Sequence, residues 1–500
     1  MTINSSEGRS RAVISNAWGV SCQRICLGRL LFPISLLFAL QVLEPAWSAS
    51  LPEAQAGSGA DHPAATTPGD PMAGDRAPVA DLLKDPGRLL TWLRAHNREV
   101  AAASSRIDQA RADYRSSRLL PNPTFSFTLS DINAGRSNPP GLGFGDTSIY
   151  AYFLSETAEI GKRGPRIASA NDRLGAAVES YLDTLGQKAA DARYALGRAF
   201  YLKNRKDVLE ESLATANRVL DLEKARLEHG EVSGNDFDRL LLDTTSLQSE
   251  IARNTAEYLG ALTTCRAALF AECDLEGAEV GDLEATVELP ALPTGGTAAL
   301  ENRPDIRSLQ RQRDSAKMDE VLARRRRIPD PAVGVGFTHD NLTISGDQAN
   351  TFAFGVTLAI PVFDRGQHDA AKAAARASEM ESMELTALTG ARADLDGLLG
   401  RKSFLENTVG ILQGDAVPRS AGILDTTLKA FDQGEVGMTD LLLARRSHTN
   451  LLLNLMDLRF ENFTVRNELR RVLGLDAEIA RKSQVARTAG SGDGNDQEGG

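Results

Sequence analysis

Three short stretches of this chain alternate strictly between apolar and polar or small residues, while long stretches elsewhere follow a helical rhythm. Phe125, Phe127 and Leu129 are separated by Ser126 and Thr128. Val333, Val335 and Phe337 alternate with Ala332, Gly334, Gly336 and Thr338. Phe352, Phe354, Val356, Leu358 and Ile360 alternate with Ala353, Gly355, Thr357 and Ala359. A period of two predicts strands with two unlike faces. A fourth strand is predicted over residues 147–157, after a loop rich in Gly, Pro and Asn. One face is large and apolar and the other small or polar, the pattern of a barrel with lipid outside and water inside. Strands of about ten residues suit a tilted crossing of a bilayer.

The helical stretches frame these strands. A first helix is predicted over 79–118, stopped by Pro121-Asn122-Pro123, since a residue preceding proline is pushed out of the helical region. No proline occurs between Pro165 and Pro290. Helix can therefore run over 166–228, turn at Gly230 and return to about residue 269. At 1.5 Å per residue the outgoing arm would approach roughly 95 Å. Leu209, Leu213, Ala216, Leu220 and Leu227 follow a 4-3 rhythm, continued on the return by Leu240, Thr244, Leu247, Ile251 and Tyr258. This is a diluted coiled-coil seam. Leu451, Leu455 and Leu458 give its counterpart later in the chain, where Pro418 is expected to break or kink the outgoing arm.

The order of these elements repeats. Leu120-Pro121-Asn122-Pro123 returns 208 positions later as Ile328-Pro329-Asp330-Pro331. Gly230-Glu231-Val232, followed by Asp236, returns 204 positions later as Gly434-Glu435-Val436, followed by Asp440. An internal duplication explains both recurrences. The expected fold is mainly α with a membrane β-barrel. The first repeat covers 79–290 and the second 291–480, each giving a helix, a strand pair and a long helical hairpin. Four strands per chain cannot close a barrel, and an open edge in hydrocarbon leaves backbone groups unpaired. Two copies would give eight strands, whose interior side chains fill. Three copies would give twelve and a real lumen.

Composition narrows the rest. A formal net charge of −11 argues against a nucleic-acid partner. Arg24 and Arg29 precede an apolar run over 30–42, and Ala46-Trp47-Ser48-Ala49 offers small residues for cleavage, so residues 1–50 are expected to be an export signal. The stretch before Gly28 is long for such a signal, which points to a start downstream of Met1. Residues 51–78 and 481–500 are expected to be a disordered leader and tail, being rich in Ala, Gly, Pro and small polar residues or in Gly, Ser and Asp. Of the four cysteines, Cys22 and Cys26 lie in the signal. Cys265 and Cys273 would meet an oxidising compartment. A bond between them needs the helix to end between them; two free thiols is the alternative.

The Pro-Asn-Pro elements, Asn302-Arg303-Pro304-Asp305-Ile306 opening a helix, and the paired Gly-centred turns together resemble the TolC-like outer membrane factors over about residues 79–475. Glu159-Ile160-Gly161-Lys162-Arg163-Gly164 is similar to the matching segment of the CzcC-type, heavy-metal subgroup. The resemblance implies a homotrimer with a twelve-stranded barrel in the outer membrane and a coiled-coil α-barrel across the periplasm. It implies a periplasmic membrane fusion (adaptor) protein and an inner-membrane pump of the resistance–nodulation–division class as partners, with no cofactor and no catalysis. The turns Gly230-Glu231-Val232-Ser233 and Gly434-Glu435-Val436-Gly437 become candidate docking tips, with Val232 and Val436 expected to be exposed. A glycine is also what a tight helix reversal needs for its own sake. Asp440, and less directly Asp236, become gate candidates, since a ring of symmetry-related carboxylates attracts cations. The structural alternative is a favourable charge at a helix start. A second family aspartate is replaced here by Leu443, which leaves one acidic ring.

Phe125, Phe127, Leu129, Val333, Val335, Phe337, Phe352, Phe354, Val356 and Leu358 are the expected lipid-facing set. Residues 324–327 form an arginine run that is either solvated surface or a contact for anionic headgroups. The six histidines, at 62, 96, 229, 339, 368 and 448, show no metal-ligand spacing. His448 falls on a helical seam, where packing is the expectation. No nucleophile–base pair or phosphate loop is visible. Two other readings stay open at this stage: a periplasmic coiled-coil adaptor, and the same duct serving drug efflux or type I protein secretion.

Overall fold

The computed structural model describes residues 76–133, 135–136, 140–290, 297–343 and 347–490. The export signal, most of the leader and residues 491–500 lie outside the described residues. Leader and tail are each shorter than expected. A strand β1 (Arg76–Pro78) already belongs to the fold, and the last helix runs well past residue 481, to Gly490.

The helix predicted over 79–118 is three helices: α1 (Val79–Leu83), α2 (Pro86–His96) and α3 (Arg98–Ser117). Two local signals divide it. The Asp85 carboxylate accepts from the Gly87 N–H at 2.9 Å, with Pro86 opening α2. The Asn97 side chain accepts from the N–H groups of Glu99 and Val100 at 2.9 and 3.1 Å. Both are N-caps, and each starts a new helix. Then come β2 (Thr124–Ser130), a short helix α4 (Phe144–Thr147) and β3 (Ile149–Thr157).

The first long hairpin is α5 (Arg163–Glu228) and α6 (Gly234–Leu269). Ala189, Ala192, Ala195 and Ala199 on α5 are fully buried, so neighbouring helices approach it closely. Past α6, Phe270 adopts a left-handed conformation (φ 57°) and ends the helix between the two cysteines. Cys265 and Cys273 are bonded, with Cα atoms 5.9 Å apart. The bond ties α6 to β4 (Glu272–Asp274), which pairs in parallel with β1. A short α7 (Val280–Thr286) follows.

The second half runs α8 (Thr297–Glu301), α9 (Pro304–Arg325), β5 (Pro331–Asp340), β6 (Asn350–Leu358) and α10 (Gln367–Ile411). Pro418 does not break the outgoing arm. A five-residue π turn, Leu412–Ala416, leads into α11 (Val417–Asp432). The Val417 N–H reaches back five residues to the Leu412 carbonyl, so the wider turn carries the helix past a residue with no N–H to give. The hairpin closes with α12 (Met438–Val472), and α13 (Leu475–Gly490) follows.

The main core gathers α1, α2 and the middle of α5 with the end of α6, through Leu83, Leu89, Leu93, Leu185, Leu196 and Leu269. Lower on the hairpins, Leu209 and Ala216 pack with Leu247 and Leu453, which is the expected seam with Leu453 added to it. A buried ionic knot joins α5 to the end of α12. Arg193 pairs with Asp476 and donates to Asn467 at 2.8 Å, and Arg470 donates to the same carboxylate at 3.1 Å. Burial pushes the Asp476 carboxyl up, but the two guanidiniums together outweigh it and hold the group below the usual carboxylate range.

Candidate membrane-facing sheet and helical tips

The four longer strands form one antiparallel sheet in the order β2-β3-β5-β6. The pairing Phe125–Leu154–Val335–Phe354 crosses all four strands. So does Phe127–Tyr152–Phe337–Phe352, whose rings lie 5.1, 6.5 and 5.3 Å apart in succession. Leu129 opposes Tyr150, Val333 opposes Val356, and Leu358 opposes Pro331. All ten residues expected on the apolar face therefore share it. Phe352 and Phe354 are 80% and 87% exposed, far beyond what an apolar residue of a water-soluble core shows. The sequence pattern missed Tyr150, Tyr152 and Leu154 on this face. Phe153, between two of them, points to the other face and hides the alternation. Both outer strands, β2 and β6, have a free edge among the described residues.

A collar of ion pairs and caps joins the sheet to the helices. The Asp330 carboxylate accepts from Lys162 at 2.6 Å and from the Ile160 N–H at 3.0 Å. Arg166 pairs with Glu159 and donates to the carbonyls of Ser117 and Leu119, each at 3.0 Å. Arg163 donates to the Arg118 carbonyl at 2.9 Å. These contacts satisfy the end of α3, where helix carbonyls lack partners. The Glu159–Gly164 segment is thus a structural joint. Arg303 is another: it forks onto Asp305 and reaches the Val472 carbonyl at 3.2 Å. In the arginine run, Arg324 pairs with Glu320, Arg325 donates to the Gly161 carbonyl and Arg326 pairs with Asp369. Only Arg327 of the four has no such partner among the described residues.

The two hairpin turns are the same motif. Gly230 and Gly434 have φ of +77° and +75°, which L-residues with a Cβ avoid. The Glu231 N–H bonds the Arg226 carbonyl and the Gly230 N–H the Leu227 carbonyl, at 2.9 and 3.0 Å. The Glu435 N–H bonds Ala430 and the Gly434 N–H bonds Phe431 at the same distances. This is the Schellman arrangement, in which the residues after the glycine fold back to meet apolar neighbours. Accordingly Val232 and Val436 are half-buried, not exposed, and Val436 packs on a cluster containing Val219, Leu240, Phe431 and Leu441. The exposed tip residues are Gly230, Glu231, Ser233, Gly434, Glu435 and Gly437.

The two gate candidates differ. Asp236 accepts from the Ser233 hydroxyl at 2.8 Å and lies 3.6 Å from Arg239. In the second turn Gly437 stands where Ser233 does, so Asp440 loses the hydroxyl; it is exposed and has no side-chain partner among the described residues.

Just above the tips lies a buried clasp that the sequence did not reveal. Asp243 of α6 pairs with Arg445 of α12 and accepts from Arg446 at 2.7 Å. Arg445 donates to the Ser212 hydroxyl at 3.1 Å, and Ser212 bonds Thr449 at 3.0 Å. Burial, with Arg446 alongside, pulls the Arg445 guanidinium down to about 10. His448 is held by the Ser420 hydroxyl at 2.8 Å. Among the described residues no three His, Cys, Asp or Glu side chains converge as a metal site, and no helix is long and apolar enough to cross a membrane.

The sequence profile of the outer membrane efflux protein family matches residues 89–270 and 296–475. The nickel-cobalt-cadmium resistance protein NccC of Alcaligenes xylosoxydans xylosoxydans is 25% identical over 328 residues, covering 64% of this chain and 70% of that protein. The cobalt-zinc-cadmium resistance protein CzcC of Cupriavidus metallidurans is 21% identical over 387 residues, covering 77% of this chain and 88% of that one. The crystal structure of CusC superposes with a TM-score of 0.66 at 18% identity, over 79% of this chain and 92% of that chain. The outer membrane protein VceC of Vibrio cholerae gives 0.62 at 17% identity, over 78% and 96%. These structural likenesses are likenesses of fold.

Proposed function

The chain belongs to the outer membrane efflux protein family, and on that premise we propose that it is the outer membrane duct of a tripartite system exporting heavy-metal cations. Three copies close a twelve-stranded barrel. Neighbouring strands of the sheet run in opposite directions throughout, so β6 of one protomer and β2 of the next meet antiparallel and the ring continues without a fault. Such a head-to-tail contact closes on itself when the rotation allows. The two halves are copies of one ancestral unit. The long hairpins continue the barrel as a tunnel through the periplasm. Their tips meet the adaptor protein, and a pump of the resistance–nodulation–division class supplies the cargo.

The observation that carries this reading is a sheet with one face apolar across its centre and largely exposed, polar only toward its ends at Glu156, His339 and Asn350, and with two open edges. In hydrocarbon such a sheet must be completed by others, because every unpaired backbone group costs several kcal/mol. Asp440 is the carboxylate proposed to ring the inner end of the tunnel, being free where Asp236 is already engaged. The cargo class comes from the resistance proteins to which the chain is similar. A family of efflux channels also makes an enzyme of any kind the wrong class of answer. A deletion strain should lose resistance to nickel, cobalt, zinc or cadmium and regain it from a plasmid copy. Unchanged metal tolerance with new sensitivity to organic compounds would remove the cargo assignment.

A further inference from the structure

On the face of the sheet opposite the apolar one, side chains are small or hydroxylic: Ser126, Thr128, Ala151, Ser155, Thr338 and Ala353 are typical. Ile149 and Asp340 stand at the strand ends, and Phe153, at the middle of β3, is the one bulky side chain within the span. Its partners across the ladder are Ser126 and Gly336. Three glycines lie beneath its ring. A Cβ at Gly334 would stand 2.5 Å from the ring, one at Gly336 2.8 Å and one at Gly355 3.1 Å. Gly334 and Gly336 are buried under it although the sheet face is otherwise open. Their own φ values are not in the left-handed region. Backbone conformation therefore does not require glycine at these places; the ring does, joined at Gly334 by the Leu154 carbonyl 2.8 Å from an added Cβ.

We infer that Phe153 sets the bore of the membrane pore, and that Gly334, Gly336 and Gly355 form a recess that keeps its ring flat against the wall. The inference rests on the proposed barrel, whose water-filled side is this face. Glycine in a strand interior weakens the strand, because it adds backbone entropy and packs nothing. An aromatic ring laid over it restores the lost contact. In this chain that repair has a second effect. With the recess filled, the ring has nowhere to lie but out in the passage, and every copy of the chain adds one ring to the same belt.

The test is entry of thiol reagents from outside intact cells into a cysteine placed beyond the ring. Thr157→Cys puts it on the same face of β3, four residues further along, and Cys265 and Cys273 are already bonded. Two membrane-impermeant methanethiosulfonates are used, one small and one carrying a bulky polymer. Gly336→Val is the perturbation of choice, because its nearest obstacle is the side chain of Phe153; at Gly334 the Leu154 carbonyl also lies within 2.8 Å. The inference expects Gly336→Val to slow the bulky reagent at least tenfold relative to the small one. It expects Gly336→Val with Phe153→Ala to restore the original rate. A bulky-reagent rate unchanged by Gly336→Val, or one still slow in the double variant, overturns it. If the introduced thiol resists even the small reagent with Gly336 and Phe153 intact, the barrel reading itself has failed.

Discussion

Replacing Asp243 by Ala removes the one carboxylate that faces both Arg445 and Arg446. Asp243 and Arg445 are each only 4% exposed, so the stranded guanidinium has little water to turn to. Its remaining contact is to the hydroxyl and carbonyl of Ser212, at 3.1 and 3.5 Å. Breaking one side of such a buried pair costs about 3–5 kcal/mol. The loss is local, because the second ionic knot joins other helices, Arg193 on α5 to Asp476 on α13, and Arg193 lies nineteen residues before Ser212 along α5. Hydrogen exchange read by mass spectrometry resolves it. Amides over residues 236–250 and 438–452 should exchange roughly 10²- to 4 × 10³-fold faster, since each 1.4 kcal/mol is a factor of ten. Peptides around Arg193 should not change. Adding Arg445→Met to Asp243→Leu removes both charges and should recover most of the protection, as apolar replacements of buried pairs do. Exchange within threefold of the parent in Asp243→Ala would refute the clasp as a holder of the two hairpins.

Gly434→Trp meets open space at the tip, since no atom lies within 4 Å of an added Cβ; the left-handed backbone costs about 1–2 kcal/mol. Trimers should survive in the membrane while metal resistance is lost, and normal resistance would count against docking at the tips. Asp440→Ala should weaken block of single channels by divalent cations, whereas Asp236→Ala, whose carboxylate is already engaged, should do so less; equal and unchanged block in both would remove the gate. Burial, helped by Asp305, raises the Asp183 carboxyl to about 6. Folding is then favoured while this group keeps its proton, and that advantage fades between about pH 4 and pH 6. Asp183→Asn should therefore raise the thermal midpoint at pH 7.5, by on the order of 2 kcal/mol of stability, and leave it unchanged at pH 4; a gain at both would assign the effect to something other than ionisation.

Much of this architecture is visible in the residues, for reasons that also explain the gaps. Strands with small residues on one face declare themselves, as around Val335 and Phe354. The strand around Phe153 falls within the predicted 147–157, but its two faces do not declare themselves, because a bulky residue sits on each. The first long hairpin is legible from the absence of proline, and both turns from the glycines at 230 and 434, whose positive φ few other residues accept. The break at Asn97 is not, since an N-cap inside an Ala-rich run looks like one polar residue among many. Pro418 signals trouble for an α-helix, but nothing in the sequence says that a π turn will absorb it. The Asp243–Arg445 pair escapes for a different reason: its members are some 200 residues apart, and charge on a helix reads as solvated until packing brings the partner. The difference between Asp236 and Asp440 was within reach, because serine against glycine three positions earlier decides which carboxylate is held.

A duct built this way depends on a sheet that must be completed by other copies of the chain. The mass of the detergent-solubilised mature protein, measured by native mass spectrometry, tests this most directly. A particle of three chains, with strand signal in its circular dichroism, is the predicted result. A stable single chain that stays in solution without detergent would contradict it.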